Sequence, residues 1–258
     1  MTQIHPQAIV DPKAELADDV EVGPWTYIGP HVEIGAGSVI GPHAVIKGPT
    51  RLGKNTRIFQ FASVGEDCMD KKYKGEPTRL EMGDNNVVRE CATIHRGTIQ
   101  DKGVTLIGNN NLFMAYIHVA HDCVIGNNNI FANNATLAGH CMVGDGVIIG
   151  GMAGAHQYCR LGSYCMLAMG SMVDKDVPAF VMVRGDHARA RGMNFEGMRR
   201  RGYSQDTIRI LRNAYKTVYR QGLTFENAVL ALEAQEERIP ELELFIESLK
   251  TSTRGIIR

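Results

Sequence analysis

Aliphatic residues recur at every sixth position along the first two thirds of the chain. The step runs over residues 4–64, resumes over 82–94, and resumes again in a shifted frame over 107–173. All 26 positions on this step are apolar, although only 44% of the chain is apolar. Glycine is the next residue after 12 of these positions, and the residue two places before each position is usually small. A period sustained over this length predicts a repeat architecture rather than isolated elements.

A six-residue step fits one short strand and one tight turn, so three steps make a coil of 18 residues. Residues spaced by 18 support such stacking: Asn109 with Asn127, and Cys123 with Cys141 and Cys159. The aliphatic side chains would fill a triangular prism, and Gly or Asn would occupy the corners. We therefore predict a mainly β solenoid over residues 1–177.

Two interruptions of the period, near residues 66–80 and 97–105, predict loops that leave a corner of the prism. Long loops on a rigid scaffold commonly carry binding or catalytic groups, so we expect a functional role for both. After Pro178 the period is lost. We predict a glycine-containing linker and then a helical domain within residues 178–258, with helices that begin after Ser204, after Thr224 and near Pro240.

Composition narrows the functional classes. Lys plus Arg is 28 and Asp plus Glu is 28, which disfavours binding to nucleic acid or anionic membrane through bulk charge. We find neither an apolar run of the roughly 18 to 20 residues that a membrane span needs nor a secretory signal, so we expect a cytoplasmic protein. The six cysteines contain no C-x-x-C pair and are expected to be reduced, packed thiols.

Five of the nine histidines fall in the second half of the predicted prism, and none takes an inward position. They are expected on outer faces or corners. His121, His140 and His156 lie on successive predicted coils and are expected to share a cleft.

The segment His118-Val-Ala-His121-Asp122 allows three interpretations. In the first, one histidine acts as a general base and Asp122 fixes its tautomer; in the second, the histidines bind a metal; in the third, the segment does neither. Because no G-x-S-x-G elbow or reactive-cysteine signature is present, a covalent enzyme intermediate is not indicated.

Ordered motifs carry a close resemblance to a known family. They are FQFASVGED, KYKGEPTRLEMGDNN, IHRGT, HVAHDC, NNATLAGH, HQYCRLG, MNFEGMRRRGYS and the STRGIIR terminus. Together they resemble the UDP-N-acetylglucosamine acyltransferases of lipid A biosynthesis, within the hexapeptide-repeat acyltransferases. The resemblance implies a left-handed parallel β-helix with a C-terminal α-helical domain, assembled as a cytoplasmic homotrimer. It also implies transfer of a 3-hydroxyacyl chain from acyl carrier protein to the 3-hydroxyl of UDP-N-acetylglucosamine, with no metal and no cofactor beyond the phosphopantetheine thioester of the donor.

The same resemblance assigns roles to residues of this chain. It implies that His121 is the general base, that Asp122 orients it, and that the backbone N–H of Gly139 stabilises the thioester oxyanion. It implies substrate contacts on the sugar and phosphopantetheine side for Asp70, Lys72, His118, His140, His156 and Gln157. It implies uridine and phosphate contacts for Asn194, Glu196, Arg200 and Arg201.

Two positions depart from the family pattern. Met69 stands where many relatives have Gln, so one contact with the acceptor substrate is left unassigned. Met169 stands where the family stops the acyl chain and where relatives with longer chains have Gly. A methionine there fills volume that methylenes would occupy, so we predict an acyl chain nearer ten carbons than fourteen.

Other functions remain open at this point. The chain could be another hexapeptide acyltransferase, either acetyl-coenzyme A dependent or the later N-acyltransferase of the pathway, although MNFEGMRRRG and the helical tail argue against both. It could be a metal-dependent β-helix enzyme of the γ-carbonic-anhydrase type using His118, His121 and a third histidine. A purely structural solenoid is disfavoured by the charged loop and the clustered histidines. Basic segments near residues 71–79, 185–192 and 198–202 are candidate landing sites for acidic acyl carrier protein.

Overall fold

The structure is a computed structural model that describes residues 1–258. Strands of two to five residues form three sheets of 11, nine and eight strands, which are the three sides of a prism. Sheet 1 comprises β1 (Gln3–Ile4), β4 (Glu21–Val22), β7 (Val39–Ile40), β10 (Arg57–Ile58), β13 (Val87–Val88), β16 (Leu112–Phe113), β19 (Ile130–Phe131), β22 (Ile148–Ile149), β25 (Met166–Leu167), β27 (Val181–Arg184) and β28 (Arg189–Met193).

The other two sides are made in the same way. Sheet 2 comprises β2 (Ile9–Val10), β5 (Tyr27–Ile28), β8 (Val45–Ile46), β11 (Ser63–Glu66), β14 (Thr93–His95), β17 (His118–Val119), β20 (Thr136–Leu137), β23 (Gly154–Ala155) and β26 (Met172–Val173). Sheet 3 comprises β3 (Glu15–Leu16), β6 (Val32–Ile34), β9 (Thr50–Leu52), β12 (Arg79–Met82), β15 (Val104–Ile107), β18 (Val124–Ile125), β21 (Met142–Val143) and β24 (Arg160–Leu161).

The register confirms the predicted coil. Parallel pairing aligns Ile4 with Val22 and Phe131 with Ile149, each 18 residues apart. The aliphatic residues on the six-residue step point inward and are buried, apart from those of the first coil, where the prism is open at its end. Burial of this continuous apolar column is the main source of stability, because the two-residue strands have little stability of their own.

Five of the six cysteines are buried as predicted, and Cys91 is half-buried. All six are free thiols, and Cys123, Cys141 and Cys159 are fully buried one above another at the 18-residue spacing. Burial raises the pKa of the Cys159 thiol to about 12, so this side chain stays protonated and unreactive at neutral pH.

The two interruptions leave the prism at one corner, where the chain passes from sheet 2 to sheet 3. We call this the 2/3 corner. Loop 1 covers residues 67–78, between β11 and β12, and loop 2 covers residues 96–103, between β14 and β15. Arg96 joins the two loops: its guanidinium contacts Asp67, donates to the Gly65 carbonyl at 3.2 Å and lies 3.2 Å from the Tyr73 hydroxyl.

The predicted linker is wrong in one respect. Residues 181–193 form strands β27 and β28, an antiparallel hairpin added to the end of sheet 1. A short helix, α1 (Phe195–Arg200), follows and had not been predicted. The other helices are α2 (Gln205–Tyr219), α3 (Phe225–Glu233) and α4 (Pro240–Lys250). Their predicted starts are confirmed, since Ser204 and Thr224 accept N-cap hydrogen bonds and Pro240 occupies the first turn.

The C-terminal tail returns to the last coil of the prism. The buried carboxylate of Asp176 accepts hydrogen bonds from the Ser252 hydroxyl and from the backbone N–H groups of Thr253 and Arg254, between 2.8 and 3.1 Å. No helix of the structure has both the length and the apolar character required to cross a bilayer.

Candidate active site

His121 and Asp122 occupy the 2/3 corner between β17 and β18. Nδ1 of His121 lies 2.8 Å from Oδ2 of Asp122, and the imidazole side chain is 17% exposed while the carboxylate is almost fully buried. Asp122 has a φ of 58°, a left-handed corner conformation that Asp tolerates better than most residues. This conformation turns the two neighbouring side chains toward each other.

The carboxylate of Asp122 is held in its ionised form. Burial alone would raise the pKa of Asp122, but hydrogen bonds from His121 and Thr98 outweigh burial and keep the pKa below its usual value. An ionised carboxylate can only accept a hydrogen bond, so Nδ1 of His121 carries the proton and donates it to this bond, and Nε2 carries a lone pair. Nε2 is the atom of a neutral imidazole that acts as a base.

Gly139 lies directly against the His121 ring on the next coil. A methyl group placed at Gly139 would lie 2.5 Å from Cε1 and 2.7 Å from Nε2 of His121, so only glycine leaves room for the ring. The Gly139 N–H donates to no acceptor in the chain, whereas the neighbouring His140 N–H donates to the His121 carbonyl at 3.0 Å. The His121 ring and an unused backbone donor are therefore adjacent.

His140 and His118 flank this pair. The His140 ring is 5.0 Å from the His121 ring and stacks on Tyr158 at 4.4 Å, while its Nδ1 lies 3.1 Å from Asp101 of loop 2. His118 Nδ1 lies 2.8 Å from the Thr93 hydroxyl. Burial lowers the pKa of His118 to about 4, assisted by His95 and His121, so His118 is neutral at physiological pH.

The donor atoms of His121, Asp122 and His140 all lie within 4.8 Å of one another and are the group best placed to hold a metal ion. His118, which had been considered as a ligand together with His121, is not part of this group. The 2.8 Å separation of Nδ1 and Oδ2 is that of a hydrogen bond, because ligands around tetrahedral zinc at about 2.0 Å stand roughly 3.3 Å apart. The geometry fits a His–Asp dyad better than a metal centre.

A cleft of about 860 Å³ runs along the outer surface of sheet 2, toward the hairpin turn and the C-terminus. Its lining combines small side chains with polar and charged ones. Its lining includes Thr136, Gly154, His156, Met172, His187 and Arg258. Of the predicted site residues only His156 lines this cleft, while His121, His140 and His156 all lie at the 2/3 corner, after β17, β20 and β23 on successive coils.

Other predicted site residues lie elsewhere. Asp70 and Lys72 are exposed in loop 1, where the Asp70 carboxylate accepts the Lys72 N–H at 2.9 Å, and Gln157 is exposed beside His156. Met169 stands at the corner between sheets 1 and 2, is 78% exposed and is absent from the cleft lining.

The predicted uridine and phosphate contacts stand at the third corner, between sheets 3 and 1, and not at the 2/3 corner. Asn194 is buried, caps α1 and donates to the Tyr164 carbonyl at 3.2 Å. Glu196 pairs with Arg200 at 3.1 Å, and Arg201 donates to the Gly146 carbonyl at 2.9 Å. One chain therefore does not bring them to His121.

The active-site arrangement has two contacts that sequence reasoning missed. Thr98 of loop 2 donates both its N–H and its hydroxyl to Asp122, and Asp101 of the same loop binds His140. Their partners stand 24 and 39 residues away in the sequence, and no period or motif signals these contacts.

Comparison with known proteins places this geometry in a family. Residues 105–139 match the model described as bacterial transferase hexapeptide (six repeats), and residues 176–257 match UDP N-acetylglucosamine O-acyltransferase, domain 2. The acyl-[acyl-carrier-protein]–UDP-N-acetylglucosamine O-acyltransferases of Stutzerimonas stutzeri and Pseudomonas putida are 58% and 59% identical over 100% of both chains. The chain belongs to the UDP-N-acetylglucosamine O-acyltransferase family.

Solved structures of the family agree with this assignment. LpxA from Acinetobacter baumannii is 52% identical with a TM-score of 0.96, and UDP-N-acetylglucosamine O-acyltransferase from Moraxella catarrhalis is 48% identical with a TM-score of 0.96. Each comparison covers 99% of both chains. The predicted resemblance and the fold class, a left-handed parallel β-helix with C-terminal helices, are thereby confirmed.

Proposed function

We propose that this chain transfers a 3-hydroxyacyl group from acyl carrier protein to the 3-hydroxyl of UDP-N-acetylglucosamine, the first step of lipid A biosynthesis in the cytoplasm. The observation that carries this proposal is the His121–Asp122 dyad beside Gly139, in a chain whose full-length relatives are named for this acyl transfer. No metal and no resident cofactor enter the proposed reaction, since the donor brings its own phosphopantetheine thioester.

The dyad supports a direct transfer. Nε2 of His121 takes the proton of the sugar 3-hydroxyl as the oxygen attacks the thioester carbonyl carbon. The Gly139 N–H donates to the oxyanion of the tetrahedral intermediate. A backbone donor suits this role because the fold orients it before the reaction begins. The intermediate collapses by breaking the C–S bond, and the leaving thiolate takes the proton from the His121 imidazolium. Asp122 stabilises that imidazolium and fixes its orientation.

The remaining proposed contacts complete the substrate site. His118, His140, His156, Gln157, Asp70 and Lys72 would contact the sugar and the phosphopantetheine arm. Asn194, Glu196, Arg200 and Arg201 would contact uridine and phosphate. Since the latter group lies at another corner of the same chain, we propose that a neighbouring subunit supplies it in a homotrimer, where each interface joins two different surfaces. Sedimentation of the protein as a monomer would contradict this arrangement.

Gly139→Ala keeps the backbone N–H but is expected to lower kcat by roughly 100-fold or more, the scale of a positioned general base, because it displaces His121. The added methyl group overlaps the His121 ring, which must rotate away from Gly139 and from the bound acceptor. Steady-state kinetics with acyl carrier protein thioesters measures the loss. Gly29→Ala is a matched control, because the nearest atom to its methyl group would be Cε1 of the Tyr27 ring at 3.3 Å and its backbone neighbours would lie at 3.5 Å or more. Equal kinetics in both variants would show that acyl transfer does not need the space that Gly139 leaves for the His121 ring.

Product analysis tests the function and the chain length together. We expect mass spectrometry of reactions with UDP-N-acetylglucosamine and a panel of 3-hydroxyacyl carrier proteins to show an ester with a chain of about ten carbons. Met169→Gly should favour fourteen carbons, by up to about 200-fold in relative kcat/KM, since four additional CH₂ groups contribute about 0.8 kcal/mol each. An unchanged preference would show that Met169 does not limit the chain. Absence of any acylated sugar nucleotide would overturn the proposed function.

A further inference from the structure

Loop 2 places one buried residue on the carboxylate of the dyad. Thr98 is 1% exposed, and its backbone N–H donates to Oδ1 of Asp122 at 2.8 Å while its hydroxyl donates to Oδ2 at 2.6 Å. The two bonds engage both oxygens of the carboxylate at once. They fix the carboxylate plane, which a single hydrogen bond cannot do.

The local sequence brings Thr98 to this place. Gly97 precedes it, and a side chain on Gly97 would collide with the backbone N of Val104, so glycine permits the close passage of loop 2 along β15. The carbonyl of Thr98 then accepts the N–H groups of Gly103 at 3.0 Å and Asp101 at 3.3 Å. Loop 2 is thus folded around Thr98.

Oδ2 of Asp122 is the atom at which these contacts meet. It accepts the Thr98 hydroxyl, lies 2.8 Å from Nδ1 of His121 and lies 3.9 Å from Nε2 of His140. The backbone of Asp122 is also held in place, because its N–H donates to the Thr105 hydroxyl at 2.9 Å. With Thr98 in place, Oδ2 has a single orientation in which it faces His121.

We propose that Thr98 is a positioning residue for the acyl transfer: its hydroxyl holds the Asp122 carboxylate so that His121 keeps one tautomer and one orientation. This inference rests on the proposed function of the dyad. It also assigns loop 2 a role that the β-helix repeat does not supply, since without loop 2 the Asp122 carboxylate would keep only its contacts with the two imidazoles.

Thr98→Val tests this role, because valine matches threonine in shape and keeps the backbone N–H. We expect kcat to fall about 10- to 100-fold, the range of a hydrogen bond to a charged group, with KM for both substrates within about threefold. Thr98→Ser, which retains the hydroxyl, should restore most of kcat. Thr78→Val is the matched control, since Thr78 is also 1% exposed but its hydroxyl has no hydrogen-bond partner.

A readout that does not depend on turnover separates this inference from the proposed function. Nitrogen-15 NMR of the imidazoles, with His121 assigned by its loss in His121→Gln, should show a pure Nδ1–H tautomer in the wild type and in Thr98→Ser. Thr98→Val should show a mixture of tautomers. A wild-type tautomer signal and wild-type kcat in Thr98→Val would overturn the inference, as would an equal loss of kcat in Thr78→Val. Lack of acyl transfer by the wild type would overturn the proposed function and not the positioning of His121.

Discussion

His121→Ala is expected to lower kcat for acyl transfer by about 10²- to 10⁴-fold, the usual contribution of a positioned general base. The alanine variant removes the imidazole that lies against Gly139, and this imidazole fills no part of the prism core. KM should change less than kcat, because His121 takes the proton in the transition state and not in the bound complex. Initial rates under substrate saturation measure the effect.

His5→Ala serves as the matched control for this substitution. His5 is an exposed histidine of the first coil, and its Nδ1 accepts only the nearby Gln7 N–H at 3.2 Å. Its kinetics should equal those of the wild type. Full acyl transfer by His121→Ala would show that the base is another residue.

Asp122→Asn is expected to lower kcat by a similar 10²- to 10⁴-fold, although it changes only one atom. Thr98 presents an N–H to Oδ1, so the amide oxygen must occupy that place and the amide NH₂ takes the place of Oδ2. The NH₂ then donates to His121 Nδ1 and stabilises the tautomer with a proton on Nε2. That tautomer cannot accept the proton of the sugar hydroxyl.

Asp101→Asn provides the comparison within loop 2. Asp101 is a partly exposed carboxylate paired with His140 rather than His121, so its loss should cost no more than about fivefold in kcat. Thermal unfolding should be near that of the wild type for both variants. An Asp122→Asn variant with the same kcat as Asp101→Asn would contradict the orienting role of Asp122.

The repeat could be predicted from the sequence because its physical rule is local. Each inward position needs an aliphatic side chain, and each corner needs a residue that tolerates the φ and ψ angles found there. The six-residue period therefore indicates the 18-residue coil directly. Helix starts were predictable for the same reason, since Ser204 and Thr224 act on the first turn that follows them.

Features that depend on distant contacts could not be predicted in this way. The hairpin of β27 and β28 adds to sheet 1 after the period has ended, and only the alternation of Val181 and Val183 before Gly185 signalled a strand. The contact of Thr98 with Asp122 depends on the path of loop 2 across β15. The position of Arg201 at another corner depends on where α1 packs.

The central step is the direct attack of the sugar hydroxyl on the thioester as His121 takes its proton. Rapid-quench mass spectrometry of the intact wild-type protein, mixed with 3-hydroxydecanoyl acyl carrier protein and UDP-N-acetylglucosamine, tests this step most directly. We predict that acylated sugar nucleotide and free carrier thiol appear together while the mass of the chain never changes. An acyl adduct on His121, or on any other residue, that forms and decays at the rate of turnover would contradict the account.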